Sequence, residues 1–148
     1  MTPAARVAAA IEVLDRVLAG TPAELALIGW ARASRFAGSG DRAAVRDHVF
    51  GALRCRRSFG AMSGVPGESG RALMLGSLVA ASADPTSLFT GEGHAPAALT
   101  SAERAALASA ERYLMEGAPQ FALPNAQTAM AGLPEYTPDW IRAQDINM

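Results

Sequence analysis

The chain has 148 residues, of which 50% are apolar and only 18% charged, with a formal net charge of −1. That is enough for one domain with its own core and no covalent staples, and the balance excludes a polycation acting by charge alone. Cys55 is the single cysteine, which excludes an intramolecular disulfide and makes a reducing, cytoplasmic location the expectation.

An alanine-rich, valine-poor composition favours helices over strands. Thr2 followed by Pro3 reads as a cap and first-turn signal. Val7, Ile11, Leu14 and Leu18 then recur at helical spacing and predict a first helix with that buried stripe, ended by Gly20. Thr21-Pro22 repeats the signal, and Glu24 completes a capping box with Thr21. The second predicted helix runs to about Ser34 and buries Leu25 and Ile28, with Trp30 a further candidate for burial. Ala37 to Gly40 is a loop, and Asp41 or Ser39 caps a third helix reaching about Phe59. Gly60 to Gly70 reads as a glycine- and serine-rich connection. A fourth helix is predicted over about Gly70 to Ala83, with no charge between Arg71 and Asp84. Its Leu73, Met74, Leu75, Leu78 and Val79 point to more than one side, as in a central, buried helix. Asp84-Pro85 stops it, and Thr90 to Pro96 is a loop.

Thr100 and Glu103 form a second capping box and open a fifth helix to about Glu116. Gly117 to Pro134 carries three prolines, Asn125 and two glutamines, so this longest uncharged run reads as an irregular linker and not a membrane span. A last short helix is expected over Pro138 to Asp145. The N-terminus shows no basic leader followed by an apolar stretch. With no internal repeat and no period-2 strand, the expected fold is all-α, five or six helices around one central apolar helix.

Charge is distributed unevenly along this framework. Residues 1–75 carry ten arginines against six acids, net +4, and residues 76–148 carry three against eight, net −5. Between Trp30 and Gly60 seven arginines face two acids, a candidate anion-binding face. Lysine is absent; a GC-rich coding bias is the ordinary account, and no function is read from it. On a wheel of the third helix, Val45, Val49, Ala52, Leu53 and Phe59 cluster on one side. Arg46, Arg54 and Arg57 fall on a flank with Phe50, and Arg32 and Arg35 precede them by one loop. Such arginines either neutralise phosphates beside a stacking aromatic or form a solvated face whose stems cover apolar edges.

Other constellations carry less. Asp41, His48 and Cys55 are spaced by seven, which places successive members roughly 10 Å apart along a helix axis, too far to share one metal ion. Glu92 and His94 sit in a glycine-spaced loop of no defined chemistry. No dinucleotide-binding glycine motif, Walker loop or nucleophile elbow occurs.

Asp41-Arg42, Val45, Val49-Phe50-Gly51 and Leu53-Arg54 resemble a pattern in the NusB-like domain that opens the Sun/NOP (RsmB-type) family of rRNA cytosine-C5 methyltransferases. Gly70 to Gly76 resembles the family's following helix, Arg6 to Leu14 its first helix, and Phe89 to Pro96 a loop of proteobacterial members. Leu133 to Ile141 resembles the start of the methyltransferase region. The likeness covers roughly residues 3–112 and departs from about Leu114. It implies a NusB-like fold over residues 1–116, two packed three-helix bundles around the central apolar helix, with 117–148 a linker and the start of a methyltransferase region.

The resemblance further implies an RNA-binding, rRNA-positioning domain that is not catalytic alone. The implied partners are structured RNA of the small subunit, a C-terminal methyltransferase domain or a ribosomal protein, and no membrane. The family's S-adenosylmethionine-binding glycine loop and two catalytic cysteines have no counterpart, so no catalytic residue and no cofactor is assigned here. S-adenosylmethionine is expected only with the catalytic domain. Arg6 matches the N-terminal arginine region that touches RNA in NusB relatives, and Arg42 and Arg54 match family positions. Arg42 paired with Asp41 or Asp47, and Arg54 holding the helix packing, are the structural alternatives. Arg35, Arg46 and Arg57 rest on the wheel alone. The alternative function is a NusB-type protein-interaction module in transcription antitermination or ribosome assembly.

Overall fold

A computed structural model of the chain describes residues 1–115, and among them the regular structure is helical throughout. The order is α1 (Pro3–Leu18), α2 (Ala23–Ala33), α3 (Ser39–Arg54), α4 (Arg56–Ser63), α5 (Gly70–Ala80), a 3₁₀ turn (Pro85–Ser87) and α6 (Ser101–Met115). The expected linker from Gly117 and the short helix over Pro138 to Asp145 lie outside the described residues.

α1 begins as its sequence dictates, with Thr2 Oγ1 accepting the Ala5 N–H at 3.1 Å and Pro3 in the first turn. At its end Gly20 takes φ +114°, the Thr21 N–H donates to the Arg16 carbonyl and the Gly20 N–H to the Val17 carbonyl, both at 3.0 Å. This Schellman closure commits Thr21 to the end of α1. The expected Thr21–Glu24 capping box is therefore not formed, and α2 starts from Pro22 without a side-chain cap. The buried side of α1 is Ala5, Val7, Ala9, Ala10, Val13 and Leu14. Ile11 and Leu18, expected inside, are only half-buried. α1 packs against α2, α3 and α5, and its alanines let neighbours approach on sides where a leucine stripe would hold them off.

α2 departs further from expectation. Ala26 and Trp30 face the core, while Leu25 and Ile28 are 60% and 45% exposed. α3 opens at Ser39 behind Gly38, so neither Asp41 nor Ser39 is the cap residue. Asp41, in the third helical position, accepts the Gly38 N–H on Oδ2 at 3.2 Å; Gly38 has no side chain to return the bond.

The predicted third helix is two helices. Cys55, at φ −109° and ψ 25°, interrupts it, and α4 turns to lie against α5. The two backbones nearly touch at Gly76, where a Cβ would sit 1.8 Å from the Phe59 carbonyl oxygen. α4 runs to Ser63 and closes on Gly64 at φ +64°, so part of the expected connection is helical.

α5 is the central helix. Ser69 Oγ accepts the Ala72 N–H at 3.0 Å, and Leu73, Met74 and Leu75 have no exposed surface. α1, α3, α4 and α6 all pack on it. The capping box of α6 forms in full: Thr100 Oγ1 accepts the Glu103 N–H at 3.1 Å, and Glu103 Oε2 accepts the Thr100 N–H at 3.0 Å.

Candidate nucleic-acid interface

A groove of about 540 Å³ lies between α2 and the first turns of α3, lined by Leu27, Ile28, Trp30, Ala31, Ala37, Ser39, Arg42, Ala43 and Arg46. Residues four apart on a helix share a face, which is why Arg42 and Arg46 stand together at this groove. Both are exposed, and neither has a hydrogen bond or ion pair among the described residues. The groove is basic at its α3 wall and apolar along α2. Beside it Phe36, next to Ala37 in the α2–α3 connection, is 75% exposed.

The other predicted arginines are placed differently. Arg6 is bolted to α3: its Nε and Nη2 donate to Asp41 Oδ1 at 2.9 and 2.8 Å, and its side chain is 34% exposed. The Arg6 hydrogen bonds, followed by the Gly38 N–H, hold the Asp41 carboxyl below its ordinary value of 3.8. Asp41 thus pairs with Arg6 and not with Arg42, and the structural alternative for Arg42, an ion pair to Asp41 or Asp47, is absent among the described residues. Arg35 is exposed in the α2–α3 connection next to Phe36. Arg54 is exposed in the last turn of α3. Arg57 is exposed on α4 beyond the break at Cys55, so a single helical wheel does not relate it to Arg46. Its neighbour Arg56 is paired with Glu68, whose carboxyl is held down by that bond.

Sequence reasoning does not mark the α2 wall as part of a site, although its signal is present. Leu25, Leu27, Ile28 and Trp30 occupy nearly every side of α2, more than one core face can absorb, and Phe36 stands next to Arg35. Chemically, paired guanidinium forks beside an apolar wall suit a ligand that is both anionic and aromatic or aliphatic. Gly38 gives the first N–H groups of α3 no side-chain acceptor.

No group of three or more His, Cys, Asp or Glu side chains suited to a metal ion occurs among the described residues. Nor is any helix there long and apolar enough to cross a membrane. Comparison of the chain with protein-family models, with curated protein sequences and with solved structures finds no match in any of the three.

Proposed function

We propose that this chain is an RNA-binding, rRNA-positioning domain of the NusB type, belonging to an S-adenosylmethionine-dependent rRNA cytosine-C5 methyltransferase and not catalytic by itself. The observation that carries the reading is the pair of exposed guanidinium groups of Arg42 and Arg46, without a partner among the described residues, on an apolar groove. Arg35 is exposed in the adjoining α2–α3 connection. In this mechanism the arginines neutralise phosphates and set the register of the RNA. An unpaired base rests on the apolar wall near Ile28 and Phe36, as single-stranded loops do on protein apolar and aromatic surfaces. The packing of α1, α2 and α3 on one another, and of α4, α5 and α6 on one another, supports the two-bundle arrangement that the sequence resemblance implies.

The test is a fluorescence-anisotropy titration of the full chain with a small-subunit rRNA hairpin at two salt concentrations. Arg42→Ala/Arg46→Ala is expected to weaken binding about tenfold or more and to reduce the salt slope by about 2, one for each phosphate that no longer meets an arginine. Its melting temperature is expected to stay close to that of the parent. Unchanged affinity in the folded double variant would sink the reading.

A second reading rests on the exposed apolar side chains of α2 and the α2–α3 connection, Ile28 in the groove together with Leu25 and Phe36. They favour a protein-interaction module, of the kind used in antitermination or ribosome assembly. That reading predicts RNA affinity that vanishes at moderate salt, and binding of a ribosomal protein that Ile28→Ser/Phe36→Ser abolishes and Arg42→Ala leaves nearly intact.

A further inference from the structure

The outer face of α2 carries an order of residues that complements itself. Ala26 and Trp30 turn to the core. Glu24, Ile28 and Arg32 are spaced by four and share one stripe of the helix, with Leu25 and Gly29 beside it. All of these are exposed. Neither Glu24 nor Arg32 has a hydrogen bond or ion pair among the described residues. A Cβ at Gly29 would meet nothing nearer than Arg16 Nη1 at 3.8 Å, so the centre of the face is open to close approach.

Along the stripe the order is acid, apolar, base, with acid and base each about 6 Å along the axis from Ile28. A half-turn about an axis through Ile28, perpendicular to the helix, reverses that order. Glu24 then meets the partner's Arg32, Arg32 meets the partner's Glu24, and Ile28 meets the partner's Ile28, as an isologous contact requires. A parallel pair would set like charges against each other, so the charges also fix the direction. A polyanion satisfies Arg32 and is repelled by Glu24, and a basic ligand does the reverse. A second copy satisfies both and covers the apolar centre.

We propose that α2 pairs antiparallel with α2 of a second copy across a two-fold axis through Ile28. α2 has 11 residues and is about 16 Å long, so its outer face buries less than the roughly 800 Å² per partner of a standard stable complex. The homodimer is therefore weak and concentration-dependent. It does not rest on the RNA reading of the groove. Ile28 lines that groove as well, so a base seated on it and the second copy exclude one another.

Sedimentation velocity of the full chain, over about a hundredfold range of concentration, is expected to show the average mass rising from monomer toward dimer. Ile28→Glu, at an exposed position, should keep the parent's circular dichroism and stay monomeric throughout. Glu24→Arg and Arg32→Glu are each expected to weaken the dimer about tenfold, since both symmetry-related ion pairs become repulsive. An equimolar mixture of these two variants should associate as the parent does, because each altered charge meets its opposite on the other chain. A chain that is monomeric at every concentration overturns the proposal and leaves the α2 face to a different protein. A dimer that survives Ile28→Glu lies on another surface and overturns it too. Single charge variants that dimerise like the parent, or a mixture that fails to recover, overturn the antiparallel pairing.

Discussion

Arg71 makes four hydrogen bonds: two to the Glu103 carboxylate at 2.7 and 2.8 Å, and one each to the Ala97 and Ala98 carbonyls at 2.9 and 3.1 Å. Its guanidinium also lies 4.8 Å from the centroid of the Phe89 ring. One side chain thus ties α5 to the loop before α6 and to the capping box of α6. The Glu103 side chain is only 10% exposed, so removing its counter-ion leaves a buried carboxylate unpaired. Arg71→Ala is expected to cost about 2–4 kcal/mol, read from urea unfolding, somewhat below the fully buried case because the arginine is partly solvated. Arg71→Lys should recover less than half, since an ammonium cannot make the two-pronged interaction. A loss within ~0.5 kcal/mol for the alanine variant, as for an ordinary surface residue, would contradict this assignment. Arg42→Ala, by contrast, belongs to that ordinary class for stability. Nothing in the spacing of the arginines separates Arg71 from Arg42; their partners lie 32 residues away in one case and among no described residue in the other.

At the scale of elements, the α4–α5 seam is the tightest part of the fold. The added Cβ of Gly76→Ala would meet backbone, which cannot rotate away, so the two helices must separate. A loss of about 3 kcal/mol or more is expected, at the upper end for overpacking. Gly51 is also inside a helix, but a Cβ there meets nothing within 4 Å. Gly51→Ala should therefore stabilise by about 0.4–1 kcal/mol, through the unfolded chain's lost freedom. Thermal melting of the two variants should move in opposite directions; a shared sign would mean that close approach does not govern Gly76.

This pair also shows what the sequence conceals. Gly60, Gly64, Gly67 and Gly70 read together as a loop because glycine weakens helices, yet Gly60 lies inside α4. The break at Cys55 has no glycine or proline to announce it. It exists because α4 must turn to reach α5.

At the scale of the whole molecule, acid should lower stability over two pH ranges. Burial, the largest influence, lowers the His48 pKa from 6.5. A histidine with a depressed folded pKa stabilises above its unfolded value and loses that contribution as pH falls below about 6.5. Glu103 and Glu68 are held below their usual 4.5 by Arg71 and Arg56, and Asp41 and Asp84 below 3.8 by Arg6 and Thr86. Their contributions are intact above those values and are lost as pH falls through the lowered ones. The melting temperature is expected to be level above neutrality, to decline gently below 6.5 and to drop steeply below 4.5. His48→Gln should remove the gentle decline alone. A flat profile down to pH 5 in the parent would show that His48 has no bearing on stability.

The sequence by itself determined the all-α class, the Thr2–Pro3 start of α1, the central place of α5 and the Thr100–Glu103 capping box. These are local properties: cap chemistry acts within one turn, and a helix with no charge between its ends has no solvated face to offer. It also supplied the ten arginines of residues 1–75. Only the tertiary structure decided which of them are committed to a carboxylate among the described residues. Arg6 and Arg71 found carboxylates from distant helices, whereas Arg42 and Arg46 met an apolar wall. It likewise decided that Leu25 and Ile28 face outward. The hydrophobic period of a helix states that a face is apolar, but burial depends on how many neighbours can approach it. In α2 that number was set by α1 and α3, which bury Ala26 and Trp30 and leave Leu25 and Ile28 in solvent.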